Sequence, residues 1–184
     1  MEHEIEILES GNSEEKIKIL ENLETTENSK IIKKIISCLD DPDIKVRGEA
    51  FSSLILNKNE ISNFLIESLQ DSRKNVRGFA SLVLANRNNT NAITAIIPLV
   101  DDERSMVRGC ALGALGHLRA AEAKSVVHNC ILDSNVEVKK SALQAMINLG
   151  EEISEEEISE ILKQKDTELE NLIIKLKKSG PEGI

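Results

Sequence analysis

The sequence predicts an all-α fold, a right-handed α-solenoid of about six helical hairpins, and three observations lead there. A ten-residue pattern recurs four times without gaps, beginning at Asp41, Asp71, Asp102 and Asp133. Apolar residues recur at helical spacing on both sides of each copy. Runs alternating with period two, the mark of half-buried strands, are absent.

In the four copies Val46, Val76, Val107 and Val138 share one register, so the period is 30, 31 and 31 residues. Each unit reads as two helices. Ahead of the Asp come stretches such as Ile31-Ile32, Ile35-Ile36 and Leu39, or Phe64-Leu65 and Leu69. After it, Val, Ala and a Leu or Met fall at i, i+4 and i+8, one face of a second helix. The Asp is expected to cap that helix, with Pro42 in its first turn and Ser134–Glu137 as a capping box. Connections such as Arg87–Asn91 are short and polar, and Pro98 is expected to bend the Asn91–Val100 helix.

Less regular pairs extend the array. Glu2–Glu9 and Ser13–Glu24 flank Gly11-Asn12 at the start, and Ser154–Glu157 and Thr167–Glu170 have capping-box spacing near the end, before a stop at Gly180-Pro181. The expected organisation is one domain over 1–184. It comprises an N-terminal cap pair (1–28), four regular repeats (29–150), a C-terminal cap pair (151–179) and a tail (180–184).

Composition narrows the function. The longest apolar run, Ala95 to Val100, has six residues, too few for a membrane helix. Met-Glu-His-Glu is not the start of a secretory signal, and Cys38, Cys110 and Cys130, odd in number and far apart, suggest reduced thiols in the cytoplasm. The formal charge of −9 divides as −6 over residues 1–30, +2 over 31–150 and −5 over 151–184. Acidity therefore belongs to the end pairs, where an array must stop stacking and stay soluble. The near-neutral middle leaves net charge a weak argument against nucleic acid, and the absence of Tyr and Trp to stack bases carries more of it.

The unit Asp-x(4)-Val-Arg-x-x-Ala resembles the HEAT-like repeats of the phycobilisome-lyase type, from the Lys30 region to Gly150. The resemblance implies a structural ladder of Asp41, Arg47, Asp71, Arg77, Asp102, Arg108, Asp133 and Lys139, in which each base bonds the Asp-bearing loop of a neighbouring unit. It also raises two enzyme readings. Deoxyhypusine hydroxylases carry His-Glu pairs for a di-iron centre within similar repeats. The corresponding positions here are Gly48-Glu49, Gly78-Phe79, Gly109-Cys110 and Lys140-Ser141, with no His. Bilin lyases share the repeat, but no residue here carries their activity over.

The remaining residues offer little chemistry. His3 lies at the terminus, His117 at a helix end, and His128 and Cys130, two apart on a helix, face different directions. No metal site, cofactor or catalytic residue is expected. The three cysteines read as small buried hydrophobes, and Phe51 and Phe79 as core-edge residues or partner contacts.

On a 100° wheel, the side of each second helix opposite the Val/Ala core carries Gly48, Ser52, Ile55; Gly78, Leu82, Ala85; Gly109, Gly113, Gly116; and Lys140, Gln144, Ile147. Only one of the twelve is charged, although charged residues make up 30% of the chain. Two readings fit: neighbouring helices pack too closely for side chains, or the face is a smooth groove for a partner segment or a second copy of the protein. The expected function is a non-enzymatic protein-binding scaffold using this inner face. The alternative is an accessory, lyase-like or deoxyhypusine hydroxylase-related component of a protein-modification system without its metal ligands.

Overall fold

The computed structural model describes residues 2–179, and among these the regular structure is entirely helical. They divide into two compact units, Met1–Ala92 and Ile93–Ile184. The first holds α1 (Glu2–Ser10), α2 (Ser13–Leu20), α3 (Ser29–Ser37), α4 (Ile44–Leu56), α5 (Ser62–Ser68) and α6 (Lys74–Asn86). The second holds α7 (Ile93–Ile96), α8 (Ser105–His117), α9 (Lys124–Asn129), α10 (Val136–Leu149), α11 (Glu155–Ile161) and α12 (Thr167–Ser179). Within each unit consecutive helices pair, and the second helices pack on one another in chain order.

The repeat pattern builds the core directly. Val46, Val76, Val107 and Val138, followed one turn later by Ala50, Ala80, Ala111 and Ala142, are all buried. Leu54, Leu84 and Leu115 extend the same faces and are also fully buried. Each such Leu contributes roughly 1.5–3 kcal/mol of hydrophobic stabilisation. First helices supply the facing layer, through Ile31, Ile32, Ile35 and Ile36 on α3 and Leu65 on α5.

Helix starts differ from the sequence expectation in a consistent way. The repeated Asp does not cap the second helix. Asp41, Asp71, Asp102 and Asp133 each accept from the backbone N–H two residues on, at 2.8–2.9 Å, which closes a turn ahead of the helix. The N-cap is the residue so held: Asp43, Arg73, Arg104 or Asn135. Pro42 therefore precedes the helix. The predicted Ser134–Glu137 box is replaced by Asn135, which accepts from the N–H groups of Glu137 and Val138. Asp166 likewise takes the place expected for Thr167. The Ser154–Glu157 box forms as expected, and Asn12–Glu15 makes another.

Helix ends show a second 31-residue rhythm. Asn88, Arg119 and Gly150 have φ of 53°, 50° and 65°, and the next N–H reaches back to Leu84, Leu115 or Met146 at 3.0–3.1 Å. This left-handed termination satisfies carbonyls that the helix leaves free. Glycine has no Cβ penalty there, whereas Arg119 pays about 1–2 kcal/mol. Pro98 does not bend a continuous helix. The α-helical turn ends at Ile96, and Ile97–Asp101 continues as a 3-10 helix with Pro98 in its first positions. The stop expected at Gly180-Pro181 lies outside the described residues.

Candidate binding face and polar ladder

The Arg six residues after each Asp first serves its own loop. Arg47 donates to the Asp41 and Pro42 carbonyls at 2.8 and 3.1 Å, and Arg77 to those of Asp71 and Ser72 at 2.8 and 3.0 Å. Arg108 reaches the Asp102 carbonyl at 2.9 Å. These bonds favour a cation in the first turns despite the helix dipole. Arg108 also spans to the following loop, where its Nε and Nη2 fork onto the Asp133 carboxylate at 2.8 and 2.9 Å.

The fork marks a rung joining residues 25 apart. Lys16 makes the same step to Asp41 at 2.7 Å, and Lys139 to Gln164 at 3.1 Å. Lys16 was not among the ladder residues expected from the sequence, because the motif is degenerate in the first pair. Arg47 departs from the expected ladder: its bonds stay within its own loop, while Asp71 pairs with Arg73 through two hydrogen bonds of 2.9 and 2.8 Å.

These contacts depress several carboxyls. Arg73 holds Asp71 below its ordinary value. Burial pushes Asp133 up, but Arg108 and the Asn135 N–H outweigh it and leave a net lowering. The Leu169 N–H and Lys140 lower Asp166, and the Ser154 N–H and His128 lower Glu157. A carboxyl whose folded value is depressed stabilises fully above its unfolded value and loses that contribution as pH falls through the folded one. The melting temperature should therefore stay level between neutrality and about pH 5, then fall below about pH 4. A level melting temperature down to pH 2.5 would contradict this. Arg108 and Lys140 are shifted upward by their carboxylate partners and stay protonated throughout that range, so in these pairs the carboxyl partners alone set the pH dependence.

The twelve candidate face residues separate by environment. Gly48, Gly113 and Gln144 are exposed; Ser52, Ile55, Leu82, Gly109, Lys140 and Ile147 are half-buried; Gly78, Ala85 and Gly116 are buried. The glycines differ in what surrounds them, and close helix packing accounts for Gly116. A Cβ on Gly116 would stand 2.8 Å from the Ala145 Cα, so α8 and α10 touch backbone to backbone there. A Cβ on Gly48 would meet nothing within 4 Å, and one on Gly109 would only touch the Ser141 Oγ at 3.4 Å. No contact requires glycine at these two positions.

Lys140, the only charge in the set, is not presented as one. Its ammonium lies among Glu137, Asp166 and Glu168 at 3.1, 3.1 and 2.8 Å. The hydrogen bonds it donates to Glu168 and Glu137 drive its pKa upward. The Lys140 side chain is 14% exposed, against 73% for Glu137 and 67% for Glu168, so solvent meets the carboxylates. With Gly113, Gln144, Asn148 and Leu172 they surround an open depression of about 310 Å³.

One structural residue had no repeat signature to reveal it. Arg87 donates to the Leu54 and Asn59 carbonyls at 3.0 and 2.8 Å, and also to that of Asn57. It thereby closes the end of α4, which lacks the left-handed termination of the later second helices. Burial lowers its pKa, although Glu60 works against the shift. Phe51 and Phe79 meet edge to face, 6.3 Å between centroids. Burial pushes Cys38, Cys110 and Cys130 up to about 11, which disfavours the thiolate. His128 bonds Glu157 at 2.8 Å. Among the described residues no group of three His, Cys, Asp or Glu could hold a metal ion, and no helix is long and apolar enough to cross a membrane.

Residues 62–147 match the family model described as HEAT repeats. No curated protein matches the chain. Among solved structures, an engineered protein from the Northeast Structural Genomics Consortium superposes with a TM-score of 0.61 at 17% identity, covering 97% of each chain. A designed armadillo repeat protein in complex with the peptide (KR)4 gives 0.56 at 18% identity, covering 96% of this chain and 98% of that one. Computationally designed armadillo repeat proteins for modular peptide recognition give 0.54 at 16%, covering 97% and 98%. The chain thus has an all-α repeat fold of the HEAT and armadillo-like kind, in which consecutive helix pairs stack as in a solenoid.

Proposed function

We propose that this protein is a non-catalytic cytoplasmic scaffold that binds an extended segment of a partner protein across its second helices. The observation that carries the reading is mid-helix glycine that no neighbouring contact requires, at Gly48 in the Met1–Ala92 unit and, taken by itself, at Gly109 in the Ile93–Ile184 unit. Mid-helix glycine costs roughly 0.5–1 kcal/mol relative to Ala, so a partner lying against the backbone supplies a reason for keeping it. The likeness to peptide-binding armadillo designs supports the same mode. In the Ile93–Ile184 unit, the exposed carboxylates of Glu137 and Glu168 favour cationic side chains in the segment. The repeat period of 30–31 residues supports the short, phycobilisome-lyase-type subtype. Free cysteines with suppressed thiolates suit a reducing compartment.

Peptides selected against the wild-type protein from a random display library provide the test. They should be enriched in Lys and Arg, and Gly48→Arg or Gly109→Arg should weaken binding by about tenfold with helical content unchanged. Unchanged affinity in both variants would overturn the proposed face.

A further inference from the structure

The α11–α12 pair keeps two apolar residues at positions that earlier pairs bury. Leu162 stands in the register of Leu39, Leu69, Val100 and Ile131, all of them buried, yet it is 39% exposed. Ile174 stands in the register of Leu112 and Leu143, which are fully buried, yet it is 51% exposed. The side of α12 that carries Ile174 is the side a second helix turns toward the next pair. In α8 that side includes Gly116, pressed on Ala145 of α10, and the residue of α12 in the same register is Lys178. On a 100° wheel Ile174 lies between the buried stripe of α12 and Lys178.

The charges around Ile174 say what can cover it. Glu170 lies one turn before it and Lys178 one turn after, both exposed and on the same side of the helix. A second α12 laid antiparallel, with Ile174 against Ile174 on a two-fold axis, sets Glu170 opposite Lys178 twice. A parallel arrangement would set like charge on like. Lys177 is engaged within the unit by Glu155 at 2.7 Å, so Lys178 is the partner assigned to Glu170. Head-to-tail stacking as a further repeat is opposed by charge. Glu170 occupies the rung position where Arg108 and Lys139 carry a base, and residues 1–30, which would arrive there, carry −6.

We infer that the outer side of the α11–α12 pair is a self-association surface, on which a second copy of this chain docks with its α12 antiparallel about Ile174. The apolar centre supplies the burial, and the two Glu170–Lys178 pairs at its rim select the direction more than they add affinity. One helix pair offers less than the roughly 1,200–2,000 Å² buried in a standard stable complex, so the dimer is reversible. Its dissociation constant should be about 10–100 µM. The surface does not use the glycine face, so it stands or falls independently of whether that face binds protein.

Sedimentation equilibrium of the full chain up to about 500 µM measures it, with circular dichroism to establish that each variant stays helical. The wild type should dimerise, and Ile174→Ser should raise the dissociation constant at least about tenfold. Glu170→Lys and Lys178→Glu should each weaken the dimer by about tenfold, because each places like charges at both rims. An equimolar mixture of those two variants should return to within about threefold of the wild type, because a doubly basic edge then faces a doubly acidic one. A wild-type chain still monomeric at about 500 µM, or a dimer indifferent to Ile174→Ser, would overturn the surface. A mixture no tighter than either variant alone would overturn the antiparallel pairing.

Discussion

Replacing Arg87 with alanine is expected to lower the unfolding free energy by about 2–4 kcal/mol, measured by urea denaturation. One guanidinium serves the carbonyls of Leu54, Asn57 and Asn59, where the chain leaves α4 without a left-handed turn. A hydrogen bond to a charged donor contributes about 1.5–3 kcal/mol, and water can reach part of this half-buried site, so the total is less than the sum. Arg87→Lys should recover only part of the loss, since an ammonium cannot present two forked donors to separated carbonyls. A loss below 0.5 kcal/mol for Arg87→Ala would mean that water replaces the clamp at no cost.

The second expected result is an opposition between two glycines on the same candidate face. Gly116→Ala should destabilise by about 1–3 kcal/mol, because its methyl would lie 2.8 Å from the Ala145 Cα, a backbone atom that moves only if α8 and α10 separate. Gly48→Ala should stabilise by about 0.5–1 kcal/mol, because the added methyl meets nothing and a flexible residue leaves a helix interior. Both substitutions gain helix propensity, so the sign is decided by the neighbouring helix. Stabilisation by both would show that the close approach at Gly116 gives way freely.

The same contrast separates what could be read from residues alone and what could not. Val46, Ala50 and Leu54, and their counterparts along the chain, announced their burial because a helix turns 100° per residue and an apolar stripe has to face a core. The ladder was legible as a recurring Asp and base, and Arg108 reaches the neighbouring Asp133 as expected, but the departure at Arg47 was not legible. Whether Arg47 reaches a neighbouring loop depends on a single residue of spacing beyond it. The capping error had a similar origin. Asp41 and Asp43 are both good caps by residue type, and only the path of the turn shows that the first folds the loop while the second caps the helix.

Lys140 shows the limit most clearly. A helical wheel registers a cation on the outer face, whereas the folded chain brings Asp166, just ahead of α12, and Glu168 in its first turn onto it, and what solvent meets is acidic. Arg87 had no repeated counterpart to draw notice, and its worth lies in carbonyls about 30 residues away.

By itself, the sequence determined the helical class, the repeat period, the six paired elements, the core stripe and the concentration of acidity at the two ends. These follow from local periodicity and composition, which act within one or two turns of chain. The tertiary structure alone decided which glycines are packed and which are open, which rung is missing, and what charge the candidate face presents. Each of these depends on the distance between side chains some 25–30 residues apart, and one residue more or less in a connection changes which groups meet.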